Sequence, residues 1–203
     1  MVDPRLQLLT LVTAQYGREE TLVALLRDWH QQRMEHAGGP LRVVLLSEYD
    51  RPERLVVLSE WAIEDDRNVR ETERRELDTT LTRVTIYEPA VYRLHPIKTL
   101  GRPDLPYEFV GASLTFAPES MAATAQQMAL AEGERLMAQP GAVWARRMHS
   151  SAGPAVVVSS SGWRTRDDFQ QALRAIMEPV EDRIDLLGCK QIFFSLIPVW
   201  KMG

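Results

Sequence analysis

The sequence predicts an α+β fold made of two ferredoxin-like βαββαβ repeats, and three observations support this prediction. The length of 203 residues allows two small domains. The same signature occurs in both halves: a strand ending in tryptophan, three further residues, and an Asp-Asp pair, at Trp61 with Asp65–Asp66 and at Trp163 with Asp167–Asp168. Strand-like and helical periodicities follow one another in the same order around both signatures.

Four strand-like patterns and two helical ones make up the first half. The strands are predicted over residues 6–14, 41–48, 54–61 and 83–95. One helix begins after Gly17 and ends near Gly38, and a second runs from Asp65 to about Leu81. Pro52 fits the turn between the second and third strands, because proline is tolerated in turns and excluded from central strands.

The second half repeats this order. Its elements are a strand over 107–116, a helix after Pro118, a hairpin turning at 151–154, a helix from Asp167, and a strand over 190–200. Three prolines and a glycine lie between the halves, which is typical of a linker. We therefore predict a first repeat over 1–95, a linker over 96–106 and a second repeat over 107–203.

The strands are apolar on both faces. In the first strand Leu6, Leu8 and Val12 share one face, and Leu9 and Leu11 share the other. Helices cover one face of a ferredoxin-like sheet, so the other face needs a second cover. The simplest cover is the sheet of the sister repeat, which predicts a pseudo-twofold α+β barrel within one chain.

Composition argues against several classes of function. The net charge of −4 gives no broad basic surface for nucleic acid or an anionic membrane. Cys189 is the only cysteine, and neither an export signal nor a membrane-length apolar run is present, so we expect a cytoplasmic protein. The four histidines lack metal-ligand spacing and no glycine-rich phosphate loop occurs, so we expect neither a metal nor another cofactor.

The pattern of first strand, glycine at the helix start, Pro-Gly break, hairpin ending in tryptophan and acidic helix start resembles the antibiotic biosynthesis monooxygenase family of the dimeric α+β barrel superfamily. Members usually pair two chains through their sheets, and a tandem chain would carry both partners. The family includes enzymes that oxidise phenols and quinols without metal or flavin. The resemblance therefore implies a cofactor-independent monooxygenase acting on an aromatic or polyketide-like phenol or quinol.

In the phenol-oxidising members an asparagine lies four residues before this tryptophan and a tyrosine six residues after it. Here those positions hold Val57 and Arg67 in the first repeat, and Ser159 and Phe169 in the second. The chain therefore departs from the family pattern at both positions in both repeats.

The second repeat has the richer set of candidate site residues. Trp163 can stack on a planar ring, His149 can accept a proton near neutral pH, and an inward arginine can stabilise an anion. Strand alternation sends Arg146 and Arg147 to opposite faces, and the sequence leaves open which one faces the cleft. The predicted catalytic residues are His149, Arg147 and Trp163. The predicted substrate-binding residues are Trp61, Met128, Arg146, Ser159, Ser161 and Phe169.

Two other classes of function stay open at this point. One is a cyclase or isomerase that folds a polyketide-like chain in the same cleft, and the other is a non-catalytic small-molecule-binding or structural protein. Haem binding ranks lower, because no histidine is evidently placed as an axial ligand. The expected partner is a small aromatic molecule, with no nucleic acid and no membrane, and association of whole chains into a homo-oligomer is compatible with both barrel halves lying in one chain.

Overall fold

The computed structural model describes residues 6–35, 39–62, 75, 78–79, 81–150, 155–177 and 188–202. Contacts divide the chain into two compact units. The first unit contains Asp3–Leu94 and Ile197–Gly203, and the second contains His95–Leu196. Some of the predicted features lie outside the described residues. They are most of the helix predicted over 65–81, Arg67, the predicted end of the first helix at Gly38 and the turn at 151–154.

The first unit is an antiparallel sheet carrying a helix. Its described elements are β1 (Leu6–Thr13), α1 (Glu19–Met34), β2 (Arg42–Glu48), β3 (Arg54–Trp61) and the first part of β4 (Ala90–Gly101). The strand order is β4-β1-β3-β2. Gly17 takes a φ of +74°, which suits the sharp turn before α1.

The second unit repeats this arrangement. Its elements are β5 (Phe109–Ala117), a short 3-10 turn (Glu119–Met121), α2 (Ala122–Met137), β6 (Ala142–Ser150), β7 (Ala155–Trp163), α3 (Arg166–Met177) and the first part of β8 (Lys190–Met202). The strand order is β8-β5-β7-β6, and every pairing is antiparallel. The predicted α+β fold with two ferredoxin-like repeats is therefore confirmed.

The Asp-Asp signature has a structural role at the start of α3. The Thr165 hydroxyl accepts a hydrogen bond from the Asp168 backbone N–H at 3.1 Å and donates one to the Asp168 carboxylate at 2.8 Å. Asp167 and Asp168 both lie in the first helical turn, where negative charge stabilises the helix dipole. A capped, acidic helix start of this kind can be recognised from the sequence. This explains why the start of α3 was predicted to within one residue.

The strand β4 differs from its prediction. It runs from Ala90 to Gly101, whereas the sequence predicted a strand over 83–95 followed by the linker 96–106. Pro89 precedes the strand, and the residues after Pro96 include Ile97, Thr99 and Leu100, which suit extended backbone. Pro96 has no backbone N–H to donate, but proline is tolerated at a strand position where pairing needs no N–H. This proline therefore does not end β4.

The sheet of the first unit buries an apolar layer beneath α1. Leu22 and Leu26 on the helix contact the strand residues Val43, Leu45 and Val57. Trp200 of β8 also packs against this cluster, so the last residues of the chain contribute to the core of the first unit. Every residue of β1 from Leu6 to Thr10 is buried, so both faces of this strand are covered, as its apolar residues on both faces predicted.

His30 interrupts the apolar face of α1. Its side chain is fully buried, and neither ring nitrogen has a hydrogen-bond partner among the residues described above. Burial, followed by the positive charge of Arg33, lowers the pKa of His30 to about 3. The folded chain therefore holds this imidazole in its neutral form throughout the physiological range.

We expect His30 to make the protein sensitive to acid. In the unfolded chain this histidine binds a proton near pH 6.5, but in the folded chain only near pH 3, so stability falls as the pH drops through this window. The expected loss over the whole window is on the order of 4 kcal/mol. Urea unfolding of the wild type and of His30→Leu between pH 7 and 4 measures the effect. Parallel pH profiles for the two proteins would contradict it.

Candidate functional site

A cleft lies between the sheet and the helices of the second unit. Its empty space is about 320 Å³ when the open mouth is included, and the enclosed part is about 30 Å³. The cleft is therefore mostly open to solvent and encloses room for about two water molecules. The residues used below that line it are Gly111, Ser113, Glu132, Leu136, Arg147, Ser159, Ser161, Phe169 and Leu173.

Arg147 of β6 supplies a buried cation to the cleft. Its side chain is 1% exposed, and its Nε donates to the Ala129 carbonyl oxygen of α2 at 2.6 Å. The Nη1 nitrogen donates to the carbonyl oxygens of Arg146 and Ser160, at 3.0 and 3.1 Å. The Nη2 nitrogen is buried, and none of the residues that the structure describes offers it an acceptor. Because an unsatisfied buried donor is costly, especially on a charged group, Nη2 is suited to an oxygen of a ligand.

Gly133 makes room for this guanidinium under α2. A Cβ atom at position 133 would lie 3.2 Å from both the Cζ and the Nη2 of Arg147. The neighbouring buried positions on the same helix face are Ala125 and Ala129, which are also small. This face of α2 therefore approaches the sheet closely enough for a helix carbonyl to bind the arginine.

Glu132 places a carboxyl group at the same cleft. Its side chain is half-buried, and burial raises the pKa of Glu132, although the positive charge of Arg147 opposes the shift. Burial likewise lowers the pKa of Arg147, and the charge of Glu132 opposes that shift. The two charges therefore stabilise each other in a site where each is poorly solvated.

Gly111 and Phe169 shape the opposite wall. A Cβ atom at Gly111 would collide with the ring of Phe169, so this strand position admits the ring only because it has no side chain. Phe169 also contacts the rings of Phe109 and Trp163, at centroid distances of 5.1 and 5.7 Å. The Phe169 ring is thus held on one edge by the core and faces the cleft with the other.

The first unit differs from this lining at three equivalent strand positions, although its Thr10 and Ser59 correspond to the cleft residues Ser113 and Ser161. The two units correspond through their tryptophans, because Trp61 is paired with Leu6 and Trp163 with Phe109. In this register there are three positions at which the first unit has an apolar side chain and the second unit has a polar residue or glycine. The pairs, first unit before second, are Leu45 and Arg147, Val57 and Ser159, Leu8 and Gly111. Since the fold is built without these polar residues in the first unit, the cleft is not a requirement of the fold.

The two signature tryptophans are core residues. Trp163 is 0% exposed, and its indole N–H donates to the Ser161 hydroxyl at 2.9 Å. Trp61 is 1% exposed, and its indole N–H donates to the Ser59 hydroxyl at 2.8 Å. Neither indole lines the cleft. The sequence repeat is therefore also a repeat of a hydrogen bond from a buried tryptophan to the serine two residues before it.

The cleft brings together only some of the predicted site residues. Arg147, Ser159, Ser161 and Phe169 line it. Arg146 is half-buried and points to the opposite face of β6, because its neighbour Arg147 faces the helices. His149 is also outside the lining, and its ring lies 5.9 Å from that of His95, centroid to centroid. The predicted substrate-binding residues Met128 and Trp61 do not line the cleft either.

Sequence reasoning did not select Glu132. The available signal was its position one helical turn after Met128, which places a carboxylate near the buried side of α2. Among the residues that the structure describes, no three His, Cys, Asp or Glu side chains are grouped to hold a metal ion. Within the same described part, none of the helices has the length and apolar character needed to cross a membrane.

No protein-family model and no curated protein matches this sequence. Solved structures match it over nearly the whole chain. A protein described as anthrone oxidase-like shares 14% identity, with 98% of this chain and 93% of that one covered at a TM-score of 0.73. A candidate monooxygenase from Fusobacterium nucleatum subsp. nucleatum shares 7% identity, with 100% and 96% covered at a TM-score of 0.74.

A third solved structure connects the fold to the predicted family. It is a ferredoxin-fold protein from Listeria monocytogenes described as related to antibiotic biosynthesis monooxygenases, 11% identical, with 98% of each chain covered and a TM-score of 0.56. These identities are low, so the similarity is one of fold. At that level the resemblance predicted from the sequence is confirmed.

Proposed function

We propose, from a fold shared with monooxygenase-like proteins, that the cleft of the second unit oxidises a phenol or quinol with dioxygen and without metal or flavin. The observation that carries this proposal is the buried Arg147 in a cleft that the fold itself does not need, because the Nη2 of Arg147 has no acceptor within the described part of the chain. A buried cation stabilises the anion of a phenol more than the neutral molecule, so it lowers the pKa of the bound hydroxyl.

Formation of the anion is the step that this chain's residues can promote. An electron-rich phenolate, which carries part of its negative charge on ring carbon atoms, reacts with dioxygen far more readily than the neutral phenol. In an anthrone-like substrate, a ring CH₂ becomes C=O, one oxygen atom enters the product and the other leaves as water with the two hydrogens. Dioxygen is the only oxidant in this balance, and the protein contributes position and charge.

The size of the cleft decides which part of a substrate can enter it. The enclosed space is about 30 Å³, room for about two water molecules and far below the volume of a site that surrounds a whole ligand. A phenolic oxygen can be directed toward Arg147 while its ring lies at the open mouth against Phe169 and Leu173. The cleft therefore suits the phenolic group itself, and most of the ring system would lie outside it.

Oxygen uptake by the purified protein tests the proposal. We expect consumption of dioxygen with simple quinols and with anthrone-like compounds, unchanged by a strong chelator and without added flavin. Turnover to a cyclised product without oxygen uptake would favour a cyclase, and binding without turnover would favour a ligand carrier. Either result would contradict oxidation as the function.

A further inference from the structure

We propose that Glu132 is the base that accepts the phenolic proton, so that a neutral phenol enters the cleft and is held there as an anion against Arg147. This inference rests on the proposed function, since it assumes that the ligand is a phenol or quinol. It assigns a role to a residue outside the predicted site. It also predicts that the protein selects the neutral, protonated form of the phenol.

The positions of the two groups support a shared role. The side chains of Glu132 and Arg147 both line the cleft. Glu132 immediately precedes Gly133, the residue of α2 that leaves room for the Arg147 guanidinium because it has no side chain. Among the described residues of the cleft, Glu132 and Arg147 are the only ionisable side chains. A ligand oxygen that reaches Arg147 therefore comes close to the Glu132 carboxyl group. No other described side chain of the cleft lining can act as an ionisable base.

Charge balance gives the physical reason. In the empty cleft the Glu132 carboxylate compensates the buried guanidinium. When a phenol binds, its O–H bond breaks, a carboxyl O–H bond forms on Glu132, and the negative charge moves to the phenolate oxygen beside Arg147. The net charge of the cleft stays the same, so no additional charge is removed from water.

The local electrostatics favour such a transfer. Burial raises the pKa of Glu132 toward that of an acidic phenol, which reduces the cost of moving the proton. From β6 the facing charge is Arg147, which opposes this shift. Elsewhere on α2, Glu134 is exposed and forms a 2.8 Å ion pair with Lys98 of β4, and His149 of β6 lies beside His95 outside the cleft lining.

The test uses 4-nitrophenol, whose anion has a visible absorption band, with the full-length protein. The variant is Glu132→Gln, which keeps the size of the side chain and cannot take up the proton. The matched control is Glu134→Gln on the same helix, because the surface pair with Lys98 contributes little to stability. Binding affinity, the absorbance of the bound anion and the protons released to solvent are measured across the pH range around the pKa of the probe.

We expect the pH profiles of the two proteins to cross. Below the pKa of the probe, the wild type should hold the anion without releasing a proton, whereas Glu132→Gln should lose about tenfold in affinity per pH unit because the proton must go to solvent. Above that pKa, Glu132→Gln should bind the anion more tightly than the wild type, because it lacks the competing carboxylate. Glu134→Gln should follow the wild type, and Glu132→Asp should restore proton uptake in part.

The possible outcomes separate this inference from the proposed function. Parallel profiles for the wild type and Glu132→Gln, or failure of Glu132→Asp to restore any uptake of the proton, would overturn the role of Glu132 even if oxygen consumption is observed. Crossed profiles without any oxygen consumption would retain the role of Glu132 and remove the oxidase activity. Absence of probe binding by the wild type at every pH would overturn both.

Discussion

Arg147→Met is expected to reduce oxygen uptake by a factor of about 100 or more and also to lower the melting temperature. Removing one charged donor from a developing anion typically has an effect of this size on turnover. Stability should also fall, by about 3 kcal/mol, because the change leaves Glu132 without its compensating cation and three backbone carbonyl oxygens without this donor. Initial rates are therefore compared at a temperature at which the variant is fully folded.

The first unit supplies a matched control for this substitution. Leu45 occupies the strand position equivalent to Arg147 and is fully buried, so Leu45→Met should have little effect on oxygen uptake and cost less than about 1.5 kcal/mol. Initial rates and thermal unfolding of both variants provide the comparison. A folded Arg147→Met protein with wild-type turnover would exclude Arg147 from the reaction.

Trp61→Ala and Trp163→Ala are expected to destabilise the protein to a similar extent, by about 3 to 5 kcal/mol each. The two side chains are equally buried, and each donates its indole N–H to the serine two residues before it. Each alanine therefore removes a large core side chain and also leaves a buried serine without its donor.

Urea unfolding of the two variants, followed by circular dichroism, measures these losses. Trp61→Phe and Trp163→Phe serve as controls, because they keep most of the ring volume and remove only the indole N–H. The phenylalanine variants should lose about 1 kcal/mol. A Trp163→Ala variant with wild-type stability and no ligand binding would instead support the direct ligand contact predicted from the sequence.

The fold was predictable because its signals are local. The hairpin strand over 54–61, the capped helix start at Thr165 and the repeated Trp-x-x-x-Asp-Asp signature each depend on neighbouring residues in the chain. The extent of β4 was not predictable in the same way, since Pro89 and Pro96 both interrupt a strand pattern in sequence. Only pairing with neighbouring strands decides which proline the strand contains.

The site was less predictable because burial depends on distant contacts. Whether Arg146 or Arg147 faces the helices depends on the register set by the hairpin between β6 and β7, which a single sequence leaves open. The close approach of α2 to Arg147 depends on Gly133, which in sequence only weakens a helix. The tryptophan at a strand end has the same sequence pattern whether it is exposed or buried, so the location of Trp163 in the core required the structure.

The strand β8 contributes residues to both units, and this has a consequence during protein synthesis. Lys190–Leu196 belongs to the second unit and Ile197–Gly203 to the first, whose core includes Trp200. On the ribosome, the first unit is therefore completed only after the second unit has been synthesised, once Trp200 has left the exit tunnel. Until then its sheet lacks that cover, and a chain stalled or cleaved before Trp200 presents this apolar surface to chaperones and proteases.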